Sequence, residues 1–84
     1  MTYSIKIEKE AYKALSKIPK TERVKIIDTI SDLANNYENG KQLKGKWHGL
    51  KSIRDGDYRV IYKTLQVELL VLVVKISHRR DAYR

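Results

Sequence analysis

Four arginines and a tyrosine crowd the last third of an 84-residue chain: Arg54, Arg59, Arg79, Arg80 and Tyr83. A guanidinium is a rigid, permanently charged fork that grips phosphate oxygens two at a time. A tyrosine offers a face on which a base can stack and a phenol that donates a hydrogen bond. Lys44, Lys46 and Lys51 precede this group and Arg84 closes it, so further phosphate contacts are available. Together these residues describe a surface for single-stranded RNA or another phosphate-bearing ligand. The plainer reading is of ordinary surface charges balanced by Asp55, Asp57 and Asp81, and spacing alone leaves both open. His78, beside Arg79, is the only acid–base group of ordinary kind in the basic region, or else a simple hydrogen-bonding residue. His48, next to Trp47, reads as a packing or surface residue. No glycine-rich phosphate loop, HExxH pair or Ser/His/Asp set occurs, and no pair of facing carboxylates is evident. There is no cysteine, and the two histidines stand far apart. Neither a metal nor any other cofactor is expected.

The charge is lopsided. The chain carries 18 Lys and Arg against 10 Asp and Glu, a net +8. Residues 1–38 hold seven basic and six acidic side chains, whereas residues 39–84 hold eleven and four. A balanced half beside a basic half suggests one face built for a polyanion, whether nucleic acid, an acidic partner or a membrane surface. The longest apolar run, residues 69–74, is far short of the roughly 20 residues of a membrane span. Residues 1–6 contain no apolar stretch of the kind a signal peptide needs, so a cytoplasmic location and no membrane partner are expected.

The elements that must position these residues follow from periodicity. Tyr3, Ile5 and Ile7 alternate with polar residues, a short strand. Ala11, Leu15 and Ile18 recur at three and four, so an amphipathic helix is expected over about residues 8–18, ended by Pro19. Thr21 is a natural N-cap for a second helix carrying Val24, Ile27, Ile30, Leu33 and Ala34 to about Asn35. Residues 37–49 read as an irregular basic connection. Strands are then expected at 50–54, 58–63 and 67–76. Asp55-Gly56 serves as a hairpin turn, Thr64-Leu65-Gln66 as a weaker one, and the aliphatic last strand lies at the centre, covered on both faces. The order β-α-α-β-β-β in one domain, 1–84, is α+β: an antiparallel helical hairpin on one face of a mostly antiparallel sheet, whose other, partly open face collects the basic residues.

The run Arg54-Asp55-Gly56-Asp57-Tyr58-Arg59-Val60-Ile61-Tyr62, then an aliphatic strand, then His78-Arg79-Arg80-Asp81-Ala82-Tyr83-Arg84, resembles the RelE toxins of the RelE/ParE superfamily. The likeness extends over the whole chain, including the Tyr3-Ser4-Ile5 strand and Leu43-Lys44-Gly45. It implies a type II toxin that enters the ribosomal A site and cuts mRNA there by attack of a ribose 2′-OH on the adjacent phosphate. By position it implies a transition-state arginine at Arg59, a phosphate-stabilising or general-acid arginine at Arg79, and a base-orienting tyrosine at Tyr83. At Arg54 the family carries a lysine proposed as general base. Arginine is a poor base, and the basic position two residues earlier on that strand face is Ser52, with Lys51 pointing the other way. His78, or the ribosome's own environment, is then expected to serve. The partners implied are a RelB-like antitoxin, the ribosome with its mRNA, and operator DNA only through the antitoxin. The ParE branch, which poisons DNA gyrase, a decayed toxin and a plain RNA-binding domain are the alternatives.

Overall fold

The computed structural model describes residues 2–81. Strand β1 (Ser4–Ile7) leads into helices α1 (Lys9–Ser16) and α2 (Lys20–Asp32). The short strand β2 (Lys41–Gln42), a 3₁₀ turn (Gly45–Trp47), strands β3 (Lys51–Asp55), β4 (Tyr58–Leu65) and β5 (Leu70–His78), and a second 3₁₀ turn (Arg79–Asp81) follow. The five strands form one sheet in the order β1-β5-β4-β3-β2. The expected order of elements is present, with β2 added inside the segment expected to be irregular. The sheet is mixed: β2, β3, β4 and β5 pair antiparallel, while β1 lies parallel to β5, Ser4 opposite Leu70 and Ile7 opposite Val73. Among the described residues no helix is long and apolar enough to cross a membrane.

The core is the meeting of two periodicities. Ala11, Leu15, Ile26, Ile30 and Leu33 from the helices bury against Val60, Tyr62, Val71, Val73 and Ile76 from the sheet. Helix α1 packs on β5 and α2 on β3. Three details depart from expectation. Helix α2 starts at Lys20 with Pro19 in the cap position at φ −53°, leaving Thr21 inside the first turn. Proline's fixed φ already suits helix entry, so the chain turns in two residues early. The hairpin pivots on Gly56-Asp57, since Asp55 faces Tyr58 across the ladder. Gly56 takes φ +60°, the first central position where glycine removes the steric penalty. Strand β5 begins at Leu70, because the chain reverses over residues 66–69, with Leu69 at φ 52° and Val67 almost wholly exposed. Its neighbour β4 is the middle strand, and only alternate β5 side chains such as Val71 and Val73 are buried while Leu70 and Leu72 are half-buried.

The link between helices and sheet is pinned by one phenol. Tyr62 is fully buried; its hydroxyl donates to the Tyr37 carbonyl at 2.9 Å and accepts from the Gly40 amide at 2.8 Å. A side chain at position 40 would collide with the Tyr62 hydroxyl, so glycine is required there by close approach. Burial pushes the Tyr62 hydroxyl above its usual 10.0, and the Gly40 bond only partly opposes this. A native pKa raised above the unfolded one gives stability that is complete below about pH 10 and is lost as pH rises through the native value. Tyr62→Phe, which strands both backbone partners, is expected to cost about 1–3 kcal/mol at neutral pH. Its stability, followed by thermal denaturation against pH, should also fall less steeply above pH 10 than that of the parent.

Candidate nucleic-acid interface

Strand alternation sorts the side chains onto two faces. Ile53, Val60 and Ile76 are register partners on the helix-covered face. On the opposite face Arg54 lies across from Arg59, and Arg59 from Ser77. One step along, Ser52 faces Ile61, and Ile61 faces Lys75. Strand β2 extends this row by setting Lys41 opposite Ser52. A cleft of about 340 Å³ opens here, lined by Lys41, Leu43, Ser52, Arg54 and Arg59 among others, with three cations and, among the described residues, no carboxylate. The Ser52 hydroxyl is buried in it with no hydrogen-bond partner among the described residues, and the buried Ser77 hydroxyl, opposite Arg59 on the next strand, is likewise without one.

Around this cleft the expected residues divide. Arg79 sits two positions past Ser77, its amide donating to the Asp57 carbonyl at 2.6 Å and its Nε 3.7 Å from an Asp57 carboxylate oxygen. Both side chains of that ion pair are more than half exposed, so it restrains the guanidinium weakly. Arg79 is therefore held at the Gly56-Asp57 hairpin, at the same end of the sheet as Arg54 and Arg59. Lys44 and Lys46 are exposed on the 3₁₀ segment, and Arg80 is exposed after β5. Lys51, paired with Tyr62, takes the helix-side parity and is not brought to the cleft. Tyr83 and Arg84 lie outside the described residues.

His78 is placed apart from the two arginines of β3 and β4. It pairs with Tyr58 across the ladder, meets that ring edge-on at 5.3 Å between centroids, and its Nδ1 accepts a long bond, 3.3 Å, from the Arg80 amide. It lines a second cleft, also of about 340 Å³, with Glu22, Asp55 and Asp57. Thr29 of α2 donates to Asp55 there at 2.6 Å, which fixes that carboxylate on the helix side.

Three residues of the basic face were not singled out by spacing. Lys41 required knowing that a two-residue strand pairs with β3. Lys75 required the register of an apolar strand. Trp47 carries Lys46 and Lys75 ammonium groups 5.7 and 5.2 Å from its ring centroid, within cation–π range. Lys75 neighbours Ile61, so the 3₁₀ segment roofs the part of the face where Ile61 is fully buried. The face is open from the cleft towards the hairpin. The tryptophan beside lysines was the one local signal for this.

Comparisons with known proteins converge on one family. The model of the ParE toxin of type II toxin–antitoxin systems matches residues 5–83. Toxin RelE of Mycobacterium tuberculosis is 31% identical, over 98% of this chain and 87% of its own. Among solved structures, the RelBE2 toxin–antitoxin complex of M. tuberculosis is similar with a TM-score of 0.87 at 25% identity, covering 94% of this chain and all of that one. The archaeal RelE–RelB complex of Pyrococcus horikoshii gives 0.78 at 31%, covering 98% and 100%. The chain belongs to this family: it is a type II toxin of the RelE/ParE superfamily.

The geometry of its basic face carries a stability cost that can be measured. Like charges directly opposite on a ladder destabilise it by about 0.2–1 kcal/mol, and Arg54 faces Arg59. Arg54→Gln is expected to raise the melting temperature by a few degrees in low salt. The gain should vanish near 1 M salt, where the Debye length falls to about 3 Å; differential scanning calorimetry at the two salt concentrations checks it.

Proposed function

We propose that the protein is a ribosome-dependent mRNA endoribonuclease that cuts within the A site and so arrests translation. The observation that supports this best is the Arg54–Arg59 pair beside a cleft lined, among the described residues, by three cations and no carboxylate, with Arg79 at the same end of the sheet. In the reaction the 2′-oxygen attacks the adjacent phosphorus, the bond to the 5′-oxygen breaks, and the 2′ proton is lost as the leaving oxygen gains one. The products are a 2′,3′-cyclic phosphate and a 5′-OH. Negative charge builds on the phosphoryl oxygens in the transition state, and preset guanidiniums at Arg59 and Arg79 stabilise that charge more than the ground state. The ribosome supplies alignment of the strand. His78, facing the acidic cleft, takes no part in this reading; proton removal falls to the ribosomal environment. Tyr83 is assigned the stacking of the nucleotide, and Lys44, Lys46, Arg80 and Arg84 the steering of RNA and ribosome, as the resemblance implies. Lys51, also counted among those phosphate contacts by its charge, is placed too far round the sheet to share the cleft.

The partner proposed is a RelB-like antitoxin, by analogy with the complexes formed by the two structural relatives. An apolar groove of about 240 Å³ between the helices, lined by Tyr12, Leu15 and Ile27, suits an amphipathic segment of such a partner. Operator DNA is bound through the antitoxin.

The test is translation of a defined mRNA on purified ribosomes, with 5′ ends mapped by primer extension. Cuts inside A-site codons, absent without ribosomes, are expected. Arg59→Ala and Arg79→Ala should each slow cutting by about 10²–10³-fold without lowering the melting temperature; full activity in both would overturn the assignment. The family model carries the ParE name, which keeps gyrase poisoning as the second reading. Intact mRNA together with inhibited supercoiling by purified gyrase would establish it.

A further inference from the structure

We infer that Lys41 and Ser52 complete, with Arg54 and Arg59, a subsite for one phosphodiester of the RNA strand. This rests on the reading above that the ligand is RNA. Along β3 the small Ser52 stands on the same face as Arg54. The sheet places a cation beside it from another strand, since Lys41 of β2 is Ser52's register partner. Neighbouring strands are about 4.8 Å apart, so Lys41, Ser52 and the two arginines lie within three adjacent strands, roughly 10 Å across. All four line the same cleft, and among the described residues no acidic one does. The cleft of equal size on the helix side is lined by three carboxylates and one lysine, Lys25, so an anion favours the cationic cleft.

The Ser52 hydroxyl adds a second, independent observation. Ser52 is 6% exposed and its Oγ has no hydrogen-bond partner among the described residues. A buried hydroxyl left unsatisfied costs free energy. Lys41 is exposed, so its flexible side chain can move and admit a phosphate oxygen that accepts from this hydroxyl. The lysine and the arginines then neutralise the phosphate charge. Lys41 is thus assigned as a phosphate-binding residue, not as a base.

The experiment measures binding of a fluorescein-labelled single-stranded RNA with 2′-O-methyl riboses, which cannot be cut, by anisotropy over a range of salt. Lys41→Gln should weaken binding roughly three- to tenfold and reduce the slope of log K against log salt by about 0.7. Lys41→Arg should restore both. Lys13→Gln, on α1, is the charge-matched control and should move neither. Ser52→Ala should weaken binding while leaving the melting temperature unchanged or higher, a combination that a merely structural serine would not give. If Lys41→Gln matches the Lys13→Gln control, the subsite is overturned. The same variants go through the ribosome assay. Cutting by the parent with no effect of Lys41→Gln in either assay overturns the subsite and spares the proposed reaction. A Lys41-dependent salt slope without any A-site cutting upholds the subsite and overturns the reaction.

Discussion

The buried Tyr62 hydroxyl ties the chain after α2 to the middle strand of the sheet, and the basic face depends on that tie. Two backbone groups, the Tyr37 carbonyl and the Gly40 amide, end on one phenolic oxygen. The segment between them is thereby brought close to β4, and the next residue is Lys41, the first of β2. A two-residue strand has too few ladder bonds to hold its own register, so its place beside β3 is set largely by this anchor. The aromatic body of Tyr62 belongs to the hydrophobic core, and its polar tip organises the edge where cations gather. Core and site are joined through one side chain. Tyr3 and Tyr37 stack at 4.1 Å nearby, and their mutual hydrogen bond, aided by burial, raises the Tyr3 hydroxyl's pKa.

Much of this was legible in the residues. Alternation in β1 and three-four spacing in α1 and α2 are local signals, and they placed the elements within a few residues. The boundaries that slipped did so where tertiary context competes with local chemistry. Thr21 has cap chemistry, yet Pro19 claims the cap by its φ. Val67 and Leu69 have strand chemistry, yet they occupy a reversal in which Leu69 tolerates a left-handed backbone, a conformation strained for a branched side chain. The parallel pairing of β1 with β5 is carried by no local pattern, because pairing partners far apart in sequence are chosen by the whole core.

The basic group was legible as composition and only half legible as a constellation. Arg54 and Arg59 flank a tight hairpin, so their proximity follows from the turn itself. His78 and Arg79 are adjacent in sequence but are held differently: His78 ends β5 and lines the acidic cleft, whereas Arg79 begins the 3₁₀ turn and pairs with Asp57 at the hairpin. Parity through β5 also depends on an irregularity in the ladder at Ile61 and Tyr62, which no spacing rule anticipates. Where the arginines face each other the fold accepts repulsion at the ladder. For the proposed RNA ligand, that repulsion is the expense of setting the cations in place before the ligand arrives.

The two clefts, one with three cations and the other with three carboxylates beside Lys25, also separate charge locally across the thickness of the sheet. Net charge alone would draw a +8 protein towards a polyanion in any orientation. Separated charge adds a torque: during approach the Arg54–Arg59 side turns inward and the Glu22–Asp55–Asp57 side turns away. For the proposed RNA ligand, such alignment raises the fraction of encounters that dock productively without any new contact in the final complex.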